Sequence, residues 1–190
     1  LAAETIRDQA LAISGLLDRR MGGASVYPFQ PPGLWQAAFN GQRKWPTSPG
    51  SQKHRRGLYT SWRRTVPYPS MATFDAPSRE ICMPRRIRTN TPLQAFVTLN
   101  DPVYVEIAQA LARRLVAEGG ATQETKVAYG FRLATGQQPS AVQARVLAEL
   151  YASELTHYRN NPKAAQQLAP MPLPPQPDNT ATMAAWTVVA

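Results

Sequence analysis

The 190-residue chain contains one cysteine, Cys82, so no disulfide can close within it and a disulfide-stapled scaffold is excluded. It has two histidines, His54 and His157, and neither stands at ligand spacing from another donor. HExxH, CxxC and CxxCH are therefore absent, which argues against zinc, c-type haem or any other metal or cofactor held by this chain. Phosphate-cradling loops are missing as well, because neither GxGxxG nor GxxxxGK(S/T) occurs. Gly23-Ala24-Ser25-Val26-Tyr27 lacks the second glycine of a nucleophile elbow. No apolar run reaches the roughly 18 residues of a spanning helix. The amino end, Leu1-Ala2-Ala3-Glu4, shows neither an initiating Met nor a basic-then-apolar leader. The far end stops inside an apolar pattern, and the chain reads as a piece of something longer.

Acidic residues are also scarce, 12 against 21 Lys and Arg, for a net charge of +9. The imbalance is local. Residues 43 to 88 carry eleven of the basic residues and only Asp75 and Glu80 as acids, while the remainder of the chain is balanced. Nine of the 16 aromatics lie between Tyr27 and Phe74, and eleven of the 18 prolines lie between Pro28 and Pro102. Prolines at that density interrupt helices, and the aromatics argue against disorder. An irregular but packed segment is expected there. At 20.9 kDa a compact fold removes roughly 70% of the unfolded chain's surface from water, enough for a real core.

Elsewhere the periodicity is helical. Ile6, Ala10, Ile13 and Leu17 recur at steps of three and four, with Glu4 and Asp8 early, Arg19 and Arg20 late, and Gly22-Gly23 as a stop, predicting a helix over 2–20. Residues 56 to 66 fit strand by residue type and helix by the Leu58–Trp62 spacing, and a short helix is the reading adopted. Thr91-Pro92 caps a short helix whose buried face is Leu93, Phe96 and Val97. Asn100-Asp101-Pro102 opens a longer one in which Val103, Ile107, Leu111 and Leu115 repeat every four residues to Gly119-Gly120. Val127, Phe131 and Ala134 mark a third, ended by Gly136. Ser140 and Gln143 form a capping box for a fourth, with Val146, Leu147, Leu150, Tyr151 and Leu155 as its stripe.

The expected class is thus mainly α, with an irregular proline- and aromatic-rich amino half of few or no strands and a helical carboxyl half. Residues 1–169 read as one domain, with the irregular segment over 24–88 and helices over 92–158. Five prolines make 170–179 an extended spacer. Residues 180–190 read as the start of a truncated final helix, whose face around Trp186 looks to missing residues for its partners.

Several clusters invite chemistry. Asp75 and Glu80 would serve as an acid–base pair, with Cys82 made reactive by nearby arginines, if the segment formed an enzyme site. The sequence favours instead Asp75, Glu80 and Asp101 as internal ion-pair partners of those arginines, and Cys82 as a small packed residue. Lys53-His54-Arg55-Arg56 is similar to a short nucleic-acid or localisation patch, and His157 reads as a solvated helical residue. The interleaved Arg and aromatic residues suit stacking on bases or sugars, or packing of stems on rings. Arg79, Arg85, Arg86 and Arg88, with Asn90, stand ahead of the helix start at Pro92. Arginine suits bidentate grip on carboxylate or sulfate, and a helix start favours anions, so these residues form a candidate anion-binding set.

Across residues 58 to 102 the wording itself is informative. Leu58-Tyr59-Thr60, Trp62, Arg64-Thr65, Phe74-Asp75-Ala76-Pro77, Arg79-Glu80, Cys82, Arg85-Arg86, Arg88-Thr89-Asn90-Thr91-Pro92-Leu93-Gln94-Ala95 and Leu99-Asn100-Asp101-Pro102 resemble the domain of unknown function 1553. Ile6-Arg7-Asp8, Ser14-Gly15-Leu16-Leu17, Gly22-Gly23, Ser25-Val26 and Gln30-Pro31 fit the same pattern. Gln137 departs from it, standing where the family commonly has arginine, and so does the chain's end, where the family continues into a leucine- and asparagine-rich close. The resemblance implies a planctomycete-type secreted protein, an extracytoplasmic location, and a mostly helical domain beside others of the same parent chain, often downstream of a cytochrome-c-like domain. It supplies no catalytic residues. The functional expectation is a non-catalytic binding or structural module, with anionic polysaccharide as the partner the arginines suit. A polysaccharide hydrolase or lyase and a nucleic-acid binder are the alternatives.

Overall fold

The computed structural model describes residues 1–35, 42–170 and 179–190. Among them helix accounts for 58% and no strand occurs, which makes the protein mainly α. Two compact units are present: Leu1–Ala12 with Leu16–Val105, and Ile13–Gly15 with Glu106–Ala190.

The first unit opens with α1 (Ala3–Ser14), which carries Glu4 in its first turn, where a carboxylate meets the positive end of the helix dipole. The helix stops well short of the expected residue 20. Gly15 takes φ 80°, and the amides of Leu16 and Leu17 both turn back onto the Leu11 carbonyl, a left-handed ending that only glycine enters without strain. Residues 56 to 66 hold only a 3-10 turn, Gly57–Tyr59, followed by non-helical chain that bends at 64–66. The Tyr59 carbonyl and Ser61 amide are taken by Val26, which leaves no ladder for a helix. A Cβ on Gly57 would lie 2.8 Å from the Met71 methyl and 2.9 Å from the Glu4 Cα, so this turn meets α1 through a glycine.

The basic and aromatic residues of this unit are spent largely on one another. The Trp35 and Trp45 rings stack at 5.8 Å, and Trp45 stacks on Tyr68 at 6.2 Å. Arg63 lies over Trp35 at 5.1 Å and Arg7 over Tyr68 at 5.7 Å. The indole N–H groups of Trp35 and Trp45 donate to Gln30 Oε1 and the Pro28 carbonyl. Planar cations on ring faces with buried stems account for the interleaving seen in the sequence. Phe39 lies outside the described residues.

Two short helices follow, α2 (Pro69–Thr73) and α3 (Pro92–Asn100), both with proline in the first turn. In α3 the Thr91–Gln94 capping box is present. Its burial is inverted from expectation: Gln94 is buried, while Leu93 and Phe96 face solvent and Val97 is half-buried. Gln94 Nε2 donates to the Thr73 carbonyl at 3.1 Å and to the Thr89 hydroxyl, and these bonds turn the polar side of the helix inward. Next, α4 (Pro102–Glu118) starts where Asn100-Asp101-Pro102 placed it, with Asp101 Oδ1 accepting from the Val103 amide at 2.9 Å.

The second unit contains the rest of α4 with α5 (Gln123–Thr135), α6 (Ala141–Asn160), α7 (Pro162–Leu168) and α8 (Asn179–Val189). Thr122 and Ser140 cap α5 and α6 with their side chains, and Gly136 closes α5 at φ 73°. The α7 helix, beginning at Pro162, went unread in the sequence. The core collects Leu111, Leu115, Val127, Met183, Ala184 and Trp186. Trp186 therefore already has its partners: α8 packs on α6 and α7, with the Tyr151 ring 4.3 Å away. Most of the proline-rich spacer, 171 to 178, lies outside the described residues.

A candidate anion-binding groove

The arginine segment is anchored at its base by Asp75, which sits just beyond α2 in a left-handed conformation, φ 62°. Its carboxylate accepts from the Thr89 amide at 2.7 Å and the Thr89 hydroxyl at 2.9 Å, and Gln94 Nε2 lies 3.4 Å away. The residues between Asp75 and Thr89 are thus pinched into a loop, and the Thr89-to-Gln94 stretch of the motif does the pinching. The same loop contains Arg79, also left-handed, whose guanidinium covers the Trp62 ring at 5.5 Å.

A groove of about 620 Å³ lies beside this loop, lined by Phe74, Asp75, the run from Arg85 to Arg88, and the first two residues. Arg86 Nη1 reaches back to Glu4 Oε2 at 2.7 Å. Partial burial pushes the Glu4 carboxyl up, but the Arg86 hydrogen bond, a backbone bond and the Arg86 and Arg79 charges outweigh it and hold the pKa below the ordinary value. Arg85 and Arg88 line the groove with no ion pair among the described residues.

Contrary to expectation, Asp75, Glu80 and Asp101 form no ion pair with the arginines among the described residues. Asp75 serves Thr89, and Asp101 serves the Val103 amide and the Ser70 hydroxyl, the latter at 2.6 Å. Hydroxyls and amides adjacent in the fold reach these carboxylates before any arginine does. Glu80 is exposed and forms no ion pair among the described residues. Glu4, 82 residues from Arg86, is the acid the sequence did not single out. Nothing in a linear reading marks it beyond its place in the first helical turn, and Gln94 stood out only as part of the family run, although its spacing from Thr91 is that of a capping box. Asn90 is exposed in the loop leading into α3, and Cys82 is exposed rather than packed.

The other clusters resolve differently. In Lys53-His54-Arg55-Arg56, His54 and Arg55 are buried, the Lys53 carbonyl accepts from Arg7 at 2.7 Å, and Arg56 pairs with Asp8 at 3.1 Å. This run is internal scaffolding rather than a presented basic patch. His157 lies on the exposed side of α6, edge-on to Tyr158. Among the described residues no three of His, Cys, Asp and Glu converge as metal ligands, and no helix is long and apolar enough to cross a membrane.

The Asp75 clamp has a pH signature. The Thr89 amide and hydroxyl hold its carboxyl below the ordinary 3.8, against a smaller opposing effect of desolvation. A depressed folded pKa means that the stabilisation is complete above the unfolded value and is lost as pH falls through the folded one. Protection of the Thr89 amide from hydrogen exchange should therefore persist to below pH 3.8 and then collapse, and Asp75→Asn should remove that acid transition. A midpoint above the unfolded value would contradict the clamp.

These features define a mainly helical domain whose distinguishing surface is an arginine-lined groove held by an Asp-Thr-Gln clamp. The chain belongs to the family described as PSD1, protein of unknown function (DUF1553), whose family model matches residues 1–151. No curated protein and no solved structure matches it.

Proposed function

We propose that this chain is a non-catalytic binding module of a large secreted multidomain protein, acting outside the cytoplasm without a cofactor of its own. Its groove grips the anionic groups, carboxylate or sulfate, of a polymeric partner, whether an acidic polysaccharide or another domain of the same parent. The secreted, multidomain setting rests on the family resemblance. The observation that carries the groove reading is the contrast among the arginines of the first unit. Arg7, Arg55, Arg56, Arg63, Arg79 and Arg86 are each engaged by a ring, a carbonyl or a carboxylate. Arg19 and Arg64 are exposed elsewhere on the unit, whereas Arg85 and Arg88 line a concavity and remain available among the described residues. Two planar forks lining one groove suit bidentate recognition of carboxylate or sulfate.

The test is the double variant Arg85→Gln/Arg88→Gln, titrated with dextran sulfate and with polyglutamate. Both side chains are exposed, so stability should change by less than about 0.5 kcal/mol. Affinity for both polymers should fall about tenfold, equal to roughly 1.4 kcal/mol, with a weaker dependence on salt. Unchanged binding of both polymers would dismiss the groove.

A further inference from the structure

We propose, resting on the groove reading above, that the polymer held there is a protein segment that is both acidic and amphipathic, and that the outward face of α3 is the apolar half of its docking surface. By the 100° turn per residue, Leu93, Phe96 and Leu99 fall within about 120° of arc on α3. They are 62%, 61% and 70% exposed, and Ile87, which lines the groove, is 70% exposed. A capped helix that buries a glutamine and presents leucine and phenylalanine to solvent is the reverse of an ordinary surface helix, and contiguous exposed apolar surface marks interaction sites. The bonds from Gln94 and Thr89 to Asp75 tie the start of α3 to the loop that carries the arginines, and both lie in the same compact unit.

Charge decides the occupant. Residues 79 to 100 carry four arginines and one acid, Glu80, so the complementary surface is acidic. A second copy of this chain would bring a further net charge of +9 against those arginines. A glycan would satisfy Arg85 and Arg88 while leaving Leu93, Phe96 and Leu99 wet. An anionic membrane would cover the apolar face, but it is broad and flat where the arginines line a concavity of about 620 Å³. A peptide with carboxylates toward the groove and leucine-type side chains toward α3 satisfies both halves, as in helix-in-groove recognition with a charged rim.

The full chain is titrated with four probes: a fluorescein-labelled peptide of repeating Glu-Glu-Leu-Leu, polyglutamate of equal charge, dextran sulfate, and phosphatidylglycerol vesicles. The amphipathic peptide should bind at least tenfold more tightly than polyglutamate. Phe96→Ser/Leu99→Ser should erase that difference while leaving polyglutamate binding and the melting temperature unchanged, since both side chains are already in water. Arg85→Gln/Arg88→Gln should weaken peptide and polyglutamate alike. If the α3 variant changes nothing, or dextran sulfate outcompetes the peptide, the protein-segment inference falls and the groove reading stands. If vesicles capture the chain through Phe96 and Leu99 while the peptide does not, the occupant is a membrane and the inference falls. If the arginine variant binds every polyanion like the parent, the groove reading itself has failed.

Discussion

Replacing Arg55 by Met should lower the stability of the chain by about 3 kcal/mol, a drop of roughly 6–12 °C in melting temperature for a protein of this size. Arg55 is only 6% exposed. Its guanidinium donates to the carbonyls of Ala24, Arg20 and Gly22 and lies 3.7 Å over the Tyr59 ring. The Tyr59 hydroxyl in turn accepts from the Gly22 amide at 2.7 Å. One planar cation therefore ties the Arg20–Ala24 loop to the Gly57–Tyr59 turn. Each charged donor to a carbonyl contributes about 1 kcal/mol after the carbonyl's competing hydration is allowed for, and the methionine keeps most of the stem's packing, so the loss measures the fork. Arg55→Lys should recover less than half, because one ammonium cannot reach three carbonyls and stack on a ring as well. If Lys matches Arg in thermal and urea unfolding, only the charge matters and the geometric account is wrong.

Arg55 also shows where a linear reading succeeds and where it stops. Its motif, Lys53-His54-Arg55-Arg56, is a basic run in one dimension. In three dimensions the partners that absorb it are Asp8, 48 residues away, and a glycine-rich loop 31 to 35 residues away. Charge sign and local count were legible, but burial was not, because burial depends on which distant carbonyls arrive. Caps behave oppositely. Thr91, Asp101, Ser140 with Gln143, and Gly136 act through bonds no more than four residues long, and each stands where the sequence placed it. The class, mainly α, follows from the same short-range signals.

The misreadings share one cause. Periodicity identifies the apolar face of a helix but not the direction that face points. In α3 the capping glutamine, bonded to Thr73 and Thr89, set that direction outward. Asp75, expected to pair with an arginine, instead accepts from Thr89 of the motif. An ion pair was inferred from charge where a shorter-range hydroxyl and amide were better placed. The groove itself became visible only once Phe74, Asp75 and residues 85 to 88 were brought together by that bond.

Trp186→Ala should be the most damaging single change, costing about 3–5 kcal/mol and roughly 6–20 °C in melting temperature. Had the α8 face lacked partners, the substitution would be nearly neutral. Instead Trp186 is 2% exposed, and its ring meets Tyr151 of α6 at 4.3 Å with a 31° tilt. Its neighbours in sequence, Met183, Ala184 and Ala185, are buried to a similar degree, so Trp186 belongs to a continuous buried stretch of α8. The indole belongs to the core formed with Leu111, Leu115 and Met183 and packs on Tyr151, so its truncation leaves a void of aromatic size, which places the cost in the range for buried aromatic truncation. Trp186→Phe keeps the ring contact with Tyr151 and loses only part of the volume, and it should cost less than half as much. Chemical denaturation of both variants, with hydrogen exchange across α6, α7 and α8, reads the effect directly: protection in those helices should fall in the order parent, Phe, Ala. A Trp186→Ala variant that melts like the parent would show that α8 contributes no core to the second unit.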